Sequence, residues 1–176
     1  HVKRHSFPTR RSSDLLADAG ADLLACETLP CLAEARALAR LLDELPGTSA
    51  WISFSCRDGT HNSQGEAFGA CVAALDGFER VSAIGINCTA PQHVAELVAT
   101  ARAHTGKPIV VYPNAGESYD AITKQWLAGA HGEHRAFELQ AMDWAHAGAR
   151  LIGGCCRTTP ADIAALLKRW DADASV

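Results

Sequence analysis

The sequence contains no apolar run approaching the roughly 20 residues that a membrane-spanning helix needs, so an integral membrane protein is not expected. Nor does the apparent start, HVKRHSFPTRRSSDLLADAG, read as a signal peptide: it is basic, but Asp14, Asp18 and the following Asp22 interrupt any apolar segment. Glycine-rich phosphate loops are missing, and IGGCC at residues 152–156 does not fit a nucleotide-binding fingerprint. The seven cysteines are an odd number and sit at or near apolar patterns, unlike an extracellular disulfide framework. A reducing cytosol is therefore the expected compartment, where clustered cysteines point to metal binding or catalysis. Excess positive charge is also lacking, with a formal net charge of −4. Residues 1–14 contribute Lys3, Arg4, Arg10 and Arg11 against Asp14, so that without them the charge falls from −4 to −7. Nucleic acid and anionic membranes are poor partners for such a chain.

What is present is a chain of 176 residues, 48% hydrophobic and 20% charged, which suits one soluble domain with a real core. Its first stretch stands apart. HSFPTRRSSDL, His5 to Leu15, matches the translation of a common short-read sequencing adapter. The expectation is that residues 1–14 are a sequencing artefact and that native sequence resumes near Leu15; a genuine basic tail is the rival reading.

Five short apolar runs follow: ADLLACE (21–27), AWISFSC (50–56), AIGINC (83–88), PIVVYP (108–113) and ARLIGGCC (149–156). Each is too short for a helix and lacks clean alternation, which suits strands of a parallel sheet. Helical patterns separate them, namely CLAEARALARLLDEL, GEAFGACVAALDGF, PQHVAELVATARAH and EHRAFELQAMDWAHAG, and TPADIAALLKRW ends the series. Pro91 and Pro160 fall where a first helical turn tolerates proline, and Thr159 is placed to cap the last helix. The alternation predicts a βα-repeat architecture. In such folds the C-terminal strand ends form the site, and here they carry Glu27, Cys56, Cys88, Tyr112 and the Cys155–Cys156 pair.

Neighbouring side chains on a strand point to opposite faces, so Cys155 and Cys156 converge on one target only if the chain leaves strand geometry there. Gly153 and Gly154 permit that. Cys88, at the end of GINC, is the natural third partner. Three thiolates around one ion leave a tetrahedral zinc with an open position, the mark of a catalytic site. Three cysteines acting as small buried hydrophobes, or a vicinal disulfide, are the alternatives.

GINCTAP followed by LIGGCCRTTP resembles the zinc-binding signature of the homocysteine S-methyltransferase family. The similarity extends through ADLLACETLP, SFSCRDGTH, VVYPNAGESYDA and HGEHR, in the family's order, and covers residues 15–176. YPNAGESYDA and GGCCRTTPADIAAL are most similar to enzymes using S-methylmethionine or S-adenosylmethionine, and less so to the betaine- or cobalamin-dependent branches. The resemblance implies an α/β fold, a truncated (β/α)8 TIM barrel of about the last five βα units. It also implies zinc held by Cys88, Cys155 and Cys156, with the sulfur of homocysteine taking the fourth place and attacking the methyl group of a sulfonium donor. The donor would leave as a neutral thioether, so no strong general acid is expected. Betaine or methylcobalamin as the donor, or an inactive zinc-binding barrel fragment, are the rival readings.

By the same resemblance Glu27, in ACET, binds the ammonium of homocysteine, against the plainer role of a solvated acid at a helix start. Asn87 either contacts and orients substrate or satisfies loop backbone groups. Tyr112 and Glu117 offer aromatic and acidic groups suited to a sulfonium cation, or are structural. Arg57 and Asp58 read as a loop-forming pair first. His131 and His134 have metal-compatible spacing but lie in a polar loop and helix start, and Cys26, Cys31, Cys56 and Cys71 read as packing residues.

Overall fold

The structure, a computed structural model, describes residues 8–45, 47–116, 118–120, 122–127 and 136–173. Helix α1 (Pro8–Asp18) precedes strand β1 (Leu24–Leu29), followed by α2 (Leu32–Asp43), β2 (Ala50–Phe54), α3 (Phe68–Asp76) and β3 (Val81–Asn87). A single 3-10 turn, Pro91–His93, then runs into α4 (Val94–His104). Next come β4 (Ile109–Tyr112), β5 (Ser118–Asp120), β6 (Gln125–Leu127), α5 (Phe137–Ala147), β7 (Ala149–Ile152) and α6 (Pro160–Asp173).

Five strands form one parallel sheet in the order β1-β2-β3-β4-β7, while β5 and β6 pair antiparallel as a separate hairpin. Helices that are neighbours in sequence also touch one another from α2 through α6, so they form one continuous layer. A doubly wound sheet reverses its strand order at a switch point. This one never does, which is the winding of a (β/α) barrel, here present as an open run of five βα units.

The two faces of the sheet differ in chemistry. Ile52, Phe54, Ile84, Ile86, Ile109 and Val111 are all fully buried and pack towards the helices. Their alternates form the other face, and the register sets Ser53 beside Gly85, Gly85 beside Val110, Asn87 beside Tyr112 and Val110 beside Leu151. That face is the interior of a barrel in a closed fold, and it carries the polar residues of the strand ends.

Local chemistry accounts for the boundaries. Thr159 caps α6 as its sequence implies: its N–H and hydroxyl both donate to Asp162 Oδ2 at 2.7 Å, ahead of Pro160 at the first helical position. Gly148 ends α5 at φ 117°, donating back to Trp144 and Ala145, a conformation that favours glycine. Two elements go beyond the sequence reading. Helix α1 crosses residue 14, and the β5–β6 hairpin has strands of three residues, shorter than the runs from which strands are read. The last strand also stops at Ile152 rather than Cys156, although the N–H groups of Gly153 and Cys155 still donate to Val111 O and Pro113 O of the neighbouring segment.

Candidate metal centre and substrate pocket

Strand β3 delivers Cys88 one residue beyond its end, and β7 delivers Cys155 and Cys156 from the turn that follows Gly154. The Cys88 and Cys155 sulfurs are 2.8 Å apart, Cys155 and Cys156 are 3.9 Å apart, and Cys88 and Cys156 are 4.0 Å apart. All seven cysteines are free thiols. The neighbouring cysteines therefore do reach one point, and they do so by leaving strand geometry.

The loop after β4 braces this convergence. Cys88 N–H donates to Tyr112 O, Cys155 N–H to Pro113 O, Asn114 N–H to Thr89 O and Ala115 N–H to Cys156 O. One short segment thus ties the β3 motif to the β7 motif through backbone bonds alone. Strain concentrates here too. Thr28 (φ 60°), Cys88 (φ 46°) and Arg157 (φ 65°) adopt left-handed backbone conformations, each next to an expected site residue. Non-glycine residues hold such angles when surrounding structure enforces them, and they cluster at functional sites.

Burial pushes the Cys88 thiol up to about 12, with the adjacent Cys155 thiol adding to the effect. Cys156 is raised by burial first and then by Cys155. The cluster is thus poorly suited to being three thiolates without a cation. Its chemistry fits a soft divalent ion: zinc–sulfur bonds of about 2.3 Å in tetrahedral geometry require sulfurs about 3.8 Å apart. Two of the three spacings meet that, and the third is tighter. Among the described residues this is the one cluster of three or more potential ligands within 4.8 Å. Two buried polar atoms beside it, Asn114 Oδ1 and Thr158 Oγ1, have no hydrogen-bond partner in the protein, as expected where a ligand completes the site.

Glu27, Asn87 and Tyr112 are brought together on the same side of the sheet. Glu27, an exposed residue of β1, lies on the Tyr112 side of the sheet; beyond the effect of burial, its negative charge adds to the upward shift of the Tyr112 phenol. Tyr112 also accepts from Trp51 Nε1 at 2.9 Å and shares a hydrogen with Ser53 Oγ at 2.7 Å. Burial is the main cause that pushes the Tyr112 phenol up to about 12. Asn87 is buried and occupied within the protein. Its Oδ1 accepts from Thr28 N–H at 2.8 Å and Ser53 Oγ–H at 2.9 Å, and its Nδ2 donates to Thr28 Oγ1 at 2.7 Å. It holds the turn that presents Glu27. Beside these groups lies a hollow of about 340 Å³ lined by Trp51, Val110, Tyr112, Leu151 and the two glycines that precede Cys155. A larger hollow of about 830 Å³, lined by Asp43, Thr48, Glu79 and Arg80, sits at the opposite end of the strands, away from the thiols.

The other sequence candidates resolve simply. Asp58 shapes its own loop, accepting from the N–H groups of Thr60 at 2.8 Å and His61 at 2.7 Å. The Thr60 N–H above all, with His61, holds its carboxyl well below the usual range. Cys56 and Cys71 are buried, and Cys26 and Cys31 half-buried. Glu117, His131 and His134 lie outside the described residues. Ser53, Trp51 and Asn114 are site residues that sequence reasoning missed. A serine inside the apolar run AWISF was the available signal for the first.

Fold and site together define a class: a (β/α)-barrel protein with a cluster of three thiols at its strand ends that could hold a metal ion. Comparison with known proteins narrows this. The family model for homocysteine S-methyltransferase matches residues 4–170. The homocysteine S-methyltransferase YbgG of Bacillus subtilis is 52% identical over 148 residues, covering 84% of this chain and 46% of that protein. The homocysteine S-methyltransferase of Escherichia coli is 52% identical over 157 residues, covering 89% and 50%. The crystal structure of the metallated form of the Escherichia coli homocysteine methyltransferase MmuM superposes with a TM-score of 0.76 at 42% identity, covering 95% of this chain and 54% of that one. The chain belongs to the homocysteine S-methyltransferase family, and it spans about half the length of the curated relatives it matches.

Proposed function

We propose that the protein transfers a methyl group from a sulfonium donor, S-methylmethionine or S-adenosylmethionine, to the thiol of homocysteine, forming methionine. The observation that carries this reading is the meeting of Cys88, Cys155 and Cys156 from two strand ends within 4.8 Å, in a member of this family. These three residues would hold zinc. Bound there, zinc would lower the pKa of the homocysteine thiol so that a thiolate exists at neutral pH.

The chain's own groups do the rest. Glu27 accepts from the α-ammonium of homocysteine, a charge-assisted bond that fixes the amino acid end. Asn87, through Thr28, holds the turn behind Glu27, and the hollow beside Tyr112 and Trp51 takes the apolar part of a ligand. In the transfer, a lone pair of the homocysteine sulfur forms the new S–CH3 bond. The donor's S–CH3 bond breaks with its electron pair staying on the donor sulfur. The donor's positive charge vanishes and a neutral thioether leaves, so no side chain need protonate it. The thiol proton passes to solvent.

The test is methionine formation by the zinc-loaded full-length protein from homocysteine and methyl-labelled S-methylmethionine or S-adenosylmethionine. Label in methionine is expected from at least one donor. No labelled methionine from either, with zinc bound, would overturn the reading.

A further inference from the structure

The hollow beside the thiols is bounded by two aromatic side chains whose polar hydrogens have a fixed direction. Asn87 sets it. Its Nδ2 donates to Thr28 Oγ1 and its Oδ1 accepts from Thr28 N–H, so the amide has one orientation. Because Oδ1 only accepts, the Ser53 hydroxyl 2.9 Å away donates to it. The single Ser53 proton is then in use, and the 2.7 Å contact with Tyr112 takes its proton from the phenol. Trp51 Nε1–H donates in turn to the Tyr112 oxygen at 2.9 Å. One directed chain results, from Trp51 to Tyr112 to Ser53 to Asn87, with a proton in every contact.

The strand register lets a ring on β4 reach β2. Ser53 lies beside Gly85 and Gly85 beside Val110, and Gly85 has no side chain to obstruct the crossing. Tyr112 therefore leans over β3 and meets Trp51 edge to face, with ring centroids 6.5 Å apart at 84°. With Val110, Leu151, Gly153 and Gly154 the two rings line the hollow of about 340 Å³. Among the described residues, no side chain that lines it is charged. Only Trp51 and Tyr112 among these side chains carry polar hydrogens, and both hydrogens point into the chain. The walls thus offer aromatic faces and one phenol oxygen, whose electron density the onward bond to Ser53 raises. They offer no side-chain donor.

We infer that this hollow is the subsite for the sulfonium centre of the methyl donor, selected by Trp51 and Tyr112. A sulfonium has a full positive charge but no N–H or O–H, so it needs no acceptor, and its charge is drawn to aromatic faces. An ammonium would need up to three acceptors and a carboxylate several donors, and these side chains supply one and none. The position fits the chemistry. Gly154 lines the hollow and directly precedes Cys155, so a methyl group held there lies next to the thiol cluster. Transfer removes the positive charge, and the thioether product loses the attraction that held the donor. The inference rests on the methyl-transfer reading and adds to it where the charge of the donor sits.

The experiment is calorimetric binding of two ligands to the zinc-loaded full-length protein. One is S-methylmethionine, and the other is 2-amino-5-methylhexanoate, in which CH replaces the charged sulfur with the same branching. Both keep the α-ammonium and the carboxylate, so the ratio of their affinities isolates the sulfonium charge. The sulfonium should bind about tenfold more tightly, the order of a desolvated contact between a cation and an aromatic face. Trp51→Leu should bring the ratio down towards one. Ser53→Ala should also lower it, because the phenol proton is then free to turn into the hollow, and Ser53→Thr should restore it. Glu27→Gln should keep the ratio. A wall that only packs would weaken both ligands alike; equal affinities in the wild type, an unchanged ratio in Trp51→Leu or Ser53→Ala, or its loss in Glu27→Gln overturns the inference. Should Trp51→Leu not fold, Trp51→Phe decides: its weaker aromatic face should lower the ratio part of the way, and an unchanged ratio overturns the inference. If only S-adenosylmethionine acts as donor, the same ratios are taken for it against S-adenosylhomocysteine. Labelled methyl transfer without a preference for the sulfonium leaves the methyl-transfer reading intact and removes this inference, whereas no transfer from either donor removes the reading itself.

Discussion

A thiol buried among apolar atoms ionises late, and this chain uses that fact in two ways. In the cluster of Cys88, Cys155 and Cys156, three sulfurs press together in a place where only a cation makes three thiolates favourable. Cys156→Ser should therefore lose most of the bound zinc in elemental analysis of the full-length protein, whereas Cys71→Ser, buried on the helix side, should keep it. Wild-type zinc in Cys156→Ser would remove that residue from the ligand set. Cys56 shows the other use. Its thiol is pushed up to about 12 by burial first, then by Cys71 and Asp58. The unfolded thiol ionises near its ordinary value of about 8.5. The folded form keeps its proton to higher pH, so stability is fully present below the unfolded value and is lost as pH rises towards the folded one. Chemical denaturation between pH 8 and 11 should show a steep loss of stability that Cys56→Ala makes shallower. Glu27 belongs at this scale as well. Glu27→Ala should weaken homocysteine binding by about 1.5–3 kcal/mol, the range for a hydrogen bond to a charged group, and leave zinc content unchanged. Equal homocysteine affinity would make Glu27 a surface acid only.

At the scale of elements, what positions the site is the close approach of β3 and β4. Gly85 lies beside Val110 in the register, and a Cβ there would sit 1.7 Å from the Val110 carbonyl oxygen. Backbone cannot yield as a side chain end can. Gly85→Ala should cost at least about 3 kcal/mol, the upper end of ordinary overpacking. It should also displace Cys88 relative to Cys155, so its zinc affinity should fall although no ligand is altered. A variant with unchanged unfolding midpoint and zinc affinity would show that the strands separate freely. The βα order was legible in the sequence because five apolar runs alternate with amphipathic ones, and the cysteine pair was legible because its glycines announce a departure from strand geometry. The Asn114 brace and the Asn87–Ser53–Tyr112 hydrogen bonds were not. They depend on register between strands 34 and 59 residues apart in sequence, which no local pattern encodes. The three-residue strands of the β5–β6 hairpin were hidden for the opposite reason, being too short to carry a periodic signal.

At the scale of the whole molecule, the sheet is open. Among the described residues β1 and β7 each have a partner on one side only, and the sheet interior is partly bare, with Leu151 48% exposed. Leu15 and Leu16 on α1, and Leu167 on α6, are more than half exposed. Closed barrels of this type use eight strands and about 250 residues, and this chain spans about half the length of its curated relatives. Open edges and uncovered apolar faces promote association between chains. The prediction is that the 176-residue chain expressed alone is neither a stable monomer nor an active methyltransferase. Sedimentation should show self-association, denaturation should lack one cooperative transition, and labelled methyl transfer should be absent. Zinc binding is the property most apt to survive, because backbone bonds from the Pro113–Ala115 segment tie Cys155 and Cys156, which follow the edge strand β7, to the Cys88 motif on the inner strand β3. Adding the part of the relatives' length that this chain does not span, with residues 1–14 deleted, should restore cooperative unfolding and turnover together. Recovery only when residues 1–14 are kept would show them to be native sequence. A soluble, cooperatively unfolding monomer with turnover from the 176-residue chain would show instead that five βα units suffice for both fold and catalysis.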